Sequence, residues 1–239
     1  MIVNNKRKNP YDNFNDLENK KRKIDLYNKD NDNSSDKSDK KQDKNSSSDT
    51  TSSIYSRENH IYFYSDIKMK TIITLEKEIN STIDKILEKS KIVKNMGFKF
   101  DYPPIVLHIG SPGGSIFAAF NFIDYMTQIR RNHSKIKFHS IVEGASASSA
   151  TLISVTADKR FITEYGYMLI HQLSSVSFGK YNEIKDDIIN LDTLMERIKG
   201  IYKKHTKVPD EQLDEILKHD IYWDANTCLK YKLVDKIIQ

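Results

Sequence analysis

"PPIVLHIGSPGGSIFAAF", Pro103 to Phe120, changes periodicity across one short break. Ile105–Ile109 has the apolar, β-branched character of a buried strand. Gly110, Gly113 and Gly114 then fall within five positions, in a chain that holds only 8 glycines. Ile116, Phe120, Ile123 and Met126 follow at helical spacing, so the stretch reads as strand, glycine-rich turn and helix. Such a turn has two chemical uses. It can cradle a phosphate, or its bare N–H groups can hold a developing oxyanion. A phosphate loop wants Lys-Ser/Thr after the glycines or a G-x-G-x-x-G series, and "GSPGGSIF" has neither. A plain structural turn is the third reading, and this stretch alone does not separate it from the oxyanion one.

The same alternation extends outward. "HIYFYSD" is a short aromatic strand, and Ile72, Leu75, Ile79, Ile83, Ile86 and Leu87 predict an amphipathic helix ending near Lys91. After the central stretch, "KIKFHSIVEG" reads as a strand ending near Glu143, and "SSATLISVTA" as a short buried helix. "KRFITEYGYMLIHQ" reads as two short strands about a Gly166 turn. A long helix is predicted from about Tyr181 to His205, with Ile184, Ile188, Leu191, Leu194 and Ile198 facing inward. "PDEQLDEILKH" starts a further helix behind Pro209 with acidic residues in its first turn, and "IYWDANTCLKYKLVDKII" closes with a short helix and a strand. Strands alternating with helices imply an α/β domain of repeated βαβ units over residues 54–239.

Residues 1–53 differ in kind. They are almost entirely Asn, Asp, Lys and Ser, too polar to offset the entropy of ordering, and read as a disordered low-complexity tail. "NKKRKI" (Asn19–Ile24) has the form of a nuclear-import signal, although such clusters also arise by chance in a Lys-rich tail. The formal net charge of +5 comes without a basic stripe interleaved with aromatics, so no nucleic-acid partner is expected. No apolar run approaches the roughly 20 residues that span a bilayer, and the N-terminus does not resemble a secretory signal. The single cysteine, Cys228, precludes an internal disulfide and suits a reducing compartment. The expectation is an intracellular protein, cytoplasmic unless the basic cluster acts in import, with no membrane partner.

Three further features could carry chemistry. "IVEGASASSATLIS" sets small residues and hydroxyls between a strand and a buried helix, where a nucleophilic serine finds slim neighbours and a helix N-terminus. Physical reasoning leaves Ser146, Ser148 and Ser149 all open, and a serine-rich helix cap fits as well. It is not the G-x-S-x-G elbow. His171 follows the apolar run Met168–Ile170, which puts its ring at a strand end. Asp220, in "LKHDIYWD", sits between a helix and an aromatic strand.

Taken in order, glycine loop, serine, histidine and aspartate resemble the proteolytic subunit of the Clp proteases. The likeness runs from "IYSR" (Ile54–Arg57) to "LVDKI" (Leu233–Ile237). It implies a Clp/crotonase-like fold with a long handle helix. "SPGG" matches the family's oxyanion loop, with the Gly113 amide as one donor. "GASASSA" matches the segment bearing the nucleophile, at Ser148, so the second oxyanion amide falls on Ser149. "MLIHQ" makes His171 the general base, and "KHDIYWDA" carries the third triad member at Asp220. "YKKHT" (Tyr202–Thr206) and "KYKLVD" (Lys230–Asp235) match flanking segments. The implied activity is serine endopeptidase cleavage of extended or unfolded polypeptides inside a homo-oligomeric heptameric ring that can stack. No metal or intrinsic cofactor is implied, and ATP enters only through a partner AAA+ unfoldase.

The chain departs from the family pattern in places. Ser149 replaces a methionine, Ala150 a glycine, Leu173 a proline and Lys232 a glycine. Extra residues occur in "KIVKNMGFKFDYPP" and around "RRNHSKIK", and "SSVSFGKYNE" is poor in glycine for a flexible handle. Three other functions compete: a catalytically silent ring subunit, a crotonase-type acyl-CoA enzyme, and an interaction protein acting through the tail.

Overall fold

A computed structural model describes residues 53–239; the tail reading of residues 1–52 and the cluster Asn19–Ile24 lie outside the described residues. The chain first makes a hairpin, β1 (Ile54–Arg57) and β2 (His60–Phe63), where the sequence suggested a single strand. Helix α1 (Met69–Asn95) runs four residues past its expected end. It stops where Gly97 takes φ +83° and its N–H donates to the Lys94 carbonyl, so the terminator lies beyond the last core-facing residue. Ile72, Leu75, Ile79, Ile83 and Ile86 form its buried stripe.

Strand β3 (Ile105–Ser111) leads through the glycine turn into α2 (Ile116–Asn132), whose N-cap Ser115 accepts from the Ala118 N–H. Strand β4 (Phe138–Ala147) extends well past Glu143 because it changes partner midway. His139–Val142 pair with β5 (Lys159–Thr163), and Ala145–Ala147 pair with β6 (Tyr167–Leu169). Gly144, at φ +64°, makes the bend between the two halves. The exchange carries the strand out to the start of α3 (Ser149–Val155), every residue of which is buried.

The remaining elements are α4 (Tyr181–His205), α5 (Asp210–Leu217), β7 (Trp223–Asp224), α6 (Ala225–Lys230) and β8 (Lys236–Ile238). The sheet order is β1-β2-β3-β4-β5-β8, with β6 on β4 and β7 on β6. From β2 to β8 the main path is parallel, as βαβ connections require, and β1 and β7 are the antiparallel additions. One core cluster gathers α1, α2 and β1–β3; a second gathers α3, the C-terminal part of α4, α5 and α6.

The inward face assigned to α4 needs correction. Ile198 and Tyr202 are buried, but Ile184 and Ile188 are exposed, because the first turns of the helix run beyond the rest of the domain. Lys232 keeps the left-handed backbone expected of the glycine it replaces, at φ +57°. Leu173 makes a bond no proline could, its N–H donating to Met195 Sδ at 3.2 Å.

Candidate active site

The glycine turn lies between two other stretches of backbone. On one side Ile67 N–H donates to the Gly113 carbonyl at 2.7 Å, and Ser115 N–H donates to the Ile67 carbonyl at 2.8 Å. On the other, a Cβ added at Gly113 would stand 2.6 Å from the Ala147 carbonyl oxygen and 2.7 Å from Ser148 Cβ. Gly113 adopts φ +91° and Gly114 φ +144°, conformations that side chains resist. Only glycine lets the loop approach Ser148 so closely. Within the loop, Gly113 N–H donates to Ser111 Oγ at 3.2 Å.

Backbone geometry separates the three serines. Ser146 lies within β4, fully buried, with no hydrogen-bond partner for its hydroxyl. Ser149 is the first residue of α3, 3% exposed, and its hydroxyl donates to the Gly114 carbonyl at 3.1 Å. Ser148, between them, is half-buried and adopts φ +55°, ψ −130°. That conformation is costly for a residue with a Cβ, of the order of 1–3 kcal/mol, and such strain concentrates at functional sites. It is held by Ser148 N–H donating to the Leu169 carbonyl at 2.8 Å. The Ser148 carbonyl accepts from the Thr151 N–H at 3.0 Å and from Thr151 Oγ1 at 2.6 Å. Tyr202, buried on α4, contacts Thr151 Oγ1 at 2.7 Å, and burial pushes its phenol pKa up.

His171 follows β6 by two residues, so pairing of β6 with the far half of β4 brings it beside Ser148. Ser148, Ser149, His171, Gln172 and Gly114 line one small cleft together with the buried Leu152, Ile198 and Tyr202. His171 Nδ1 lies 2.7 Å from Asp220 Oδ1. Asp220 occupies the loop between α5 and β7, and that loop is drawn in by Gln172 N–H donating to the Leu217 carbonyl at 2.7 Å. The Asp220 side chain is 77% exposed and that of His171 only 23%, so the carboxylate lies on the solvent side of the ring. A hydroxyl on a strained turn, an imidazole in the same cleft and a carboxylate on that imidazole form a set suited to proton transfer from an attacking oxygen.

Sequence reasoning missed the supports of this site. Ile67, Ser111, Thr151 and Tyr202 all brace it; "SPGG", "IVEGASASSATLIS" and "YKKHT" contain the last three without revealing their bracing bonds, and Ile67 falls in none of these segments. Cys228 is buried, its thiol pushed up to about 12 by burial, which makes it a poor nucleophile. Among the described residues no group of three or more His, Cys, Asp or Glu side chains is arranged to hold a metal ion. No helix among them is long and apolar enough to cross a membrane.

Comparison with known proteins agrees with this architecture. The family model described as Clp protease matches residues 56–239. The ATP-dependent Clp protease proteolytic subunit 2 of Frankia casuarinae is 30% identical over 138 residues, covering 56% of this chain. The aligned region spans 61% of that relative's length. The match takes in the glycine turn, the strained serine and the histidine–aspartate pair alike, and on this evidence the chain belongs to the Clp protease family.

Proposed function

We propose that the chain is a serine endopeptidase acting on extended or unfolded polypeptides, with Ser148 as nucleophile, His171 as general base and Asp220 as orienting carboxylate. The observation that carries this is the 2.7 Å His171–Asp220 contact in the cleft that holds the strained Ser148. In this reading His171 takes the Ser148 proton as Oγ attacks the peptide carbonyl, then returns it to the leaving amine. Asp220 accepts from Nδ1–H, fixes the tautomer and stabilises the imidazolium. The Gly113 and Ser149 amides receive the oxyanion, Gly113 N–H turning from Ser111 Oγ to do so. Ser149 N–H belongs to the first turn of α3, where amides lack intrahelical acceptors. The substrate would lie extended beside the Gly113 segment or the chain after His171.

We further propose that the active form is a homo-oligomeric ring, heptameric and able to stack, served by an AAA+ unfoldase that supplies the ATP dependence. The outward turns of α4 support this, since residues 181–190 are all exposed and the apolar Ile188 and Ile189 are 52% and 62% exposed among them. The test is cleavage of a short fluorogenic peptide by the purified full chain, with labelling by a fluorophosphonate and measurement of oligomer mass. Turnover and labelling that both vanish in Ser148→Ala, at a mass several times that of one chain, are the expected result. A monomer that neither cleaves nor labels refutes the proposal. A multimer that does neither points to the silent ring subunit.

A further inference from the structure

We propose that the Ser149 side chain is a positioning group for the oxyanion loop, so that this residue would serve the site twice, through its own amide and by orienting the loop that bears the other. The inference rests on the serine-peptidase reading above. Gly113 and Gly114 have no side chains to restrict their rotation, and both sit at positive φ. Hydrogen bonds therefore decide how their peptide groups point. The Gly113 carbonyl is taken by Ile67 N–H at 2.7 Å. The peptide between Gly114 and Ser115 is held at both ends, its N–H by the Ile67 carbonyl at 2.8 Å and its carbonyl by Ser149 Oγ at 3.1 Å.

Ile67 and Ser149 reach the loop from different directions. Ile67 precedes α1, is fully buried, and ties the loop to the core beneath α1 and α2. Ser149 opens α3 directly after Ser148, so its bond ties the loop to the nucleophile's own turn across 35 positions of sequence. Without it, the Gly114 carbonyl and the hydroxyl of the buried Ser149 would both lose a partner, and beyond its internal bond to Ser111 the loop would be held by Ile67 alone. The Gly113 amide would then point less consistently toward the position of the oxyanion.

The experiment compares Ser149→Ala, Ser149→Cys and Ser149→Thr with the wild type in the full chain. Each is read by kcat and KM on a fluorogenic peptide and by affinity for a peptide boronic acid, which forms a tetrahedral adduct on the serine. Ser149→Ala should lose about 10- to 50-fold in kcat, less than the roughly 10²–10³ of losing a donor outright, with KM little changed. Boronate affinity should fall by the same factor while fluorophosphonate labelling still goes to completion. Ser149→Thr, which keeps a hydroxyl on the same carbon, should recover most of the loss. Ser149→Cys fills the space with a weak donor and should behave as the alanine variant does, which keeps the test alive if that variant fails to fold. Wild-type kcat and boronate affinity in Ser149→Ala or Ser149→Cys would overturn the positioning role and leave the peptidase reading intact. A wild-type protein that neither cleaves nor labels would remove both.

Discussion

Ser148 pays for its position in backbone strain, and that strain can be measured apart from chemistry. At φ +55°, ψ −130° a Cβ is unfavourable whether it carries a hydroxyl or not, so alanine inherits the strain and glycine escapes it. Ser148→Gly should therefore melt higher than Ser148→Ala, by an amount equivalent to about 1 kcal/mol, although both lack the proposed nucleophile. Equal melting temperatures would show that the turn is not under tension. Gly113 presents the converse. A methyl group there meets the Ala147 carbonyl and Ser148 Cβ well inside contact distance, and φ +91° adds strain of its own. Gly113→Ala should stop fluorophosphonate labelling and lower the melting temperature, and wild-type labelling would mean that the loop does not approach Ser148 as described.

Packing between α3 and α4 keeps that turn in place. Thr151 grips the Ser148 carbonyl with both its amide and its hydroxyl, and Tyr202 reaches Thr151 from α4 through a buried phenol. With the Thr151 hydroxyl donating to Ser148, the Tyr202 hydroxyl must donate to Thr151. Tyr202→Phe keeps the ring and removes one buried bond, so the expected cost is about 1 kcal/mol of stability with a modest fall in kcat. Chemical denaturation and peptide turnover would check the two parts, and an unchanged midpoint would show that the bond contributes nothing. The partner exchange along β4 acts at the same level. Gly144 bends the strand from β5 to β6, and this brings the chain before His171 against the chain before Ser148.

Acid should weaken the folded domain as a whole. His60 is held below its ordinary range first by burial and then by His108, which it meets at 2.8 Å. Glu58 and Glu143 pull the other way, and Glu143 also binds His108 Nδ1 and accepts from the Tyr64 hydroxyl. His139 is lowered by burial and then Lys159, against Asp158. His205 is lowered by burial, then Lys204, Arg160 and Arg130. All three take a proton more readily in the unfolded chain, where the ordinary value is 6.5. Their contribution is therefore complete above that value and is lost as pH falls through the depressed folded values. Melting temperature should hold steady from pH 8 to about 6.5 and fall below it, with a shallower fall in His60→Phe. A flat profile down to pH 5 would contradict the burial of these rings.

Much of the architecture was legible locally. Helix and strand periodicity, Pro209 before α5 and the glycines after β3 act through neighbours a few positions away, and they announced most elements in the order observed. Bounds failed where an end depends on something beyond the element, as at Gly97 after α1 and at the β4 partner exchange. Ile184 and Ile188 have helical spacing whether or not anything covers them, so only the assembled domain shows them bare. The same holds at the site. Local chemistry offered Ser146, Ser148 and Ser149 on equal terms. Burial of the first and last and the strained backbone of the middle one are what distinguish them. The His171–Asp220 contact closes 49 positions of chain, and the Ser149–Gly114 bond 35. The sequence by itself determined which turns could be sharp and which faces apolar, since those follow from single residues and short periods. Which hydroxyl meets which imidazole, and which carbonyl Ser149 holds, was decided only when the parallel sheet brought distant segments to one edge, because no local preference encodes a contact between them.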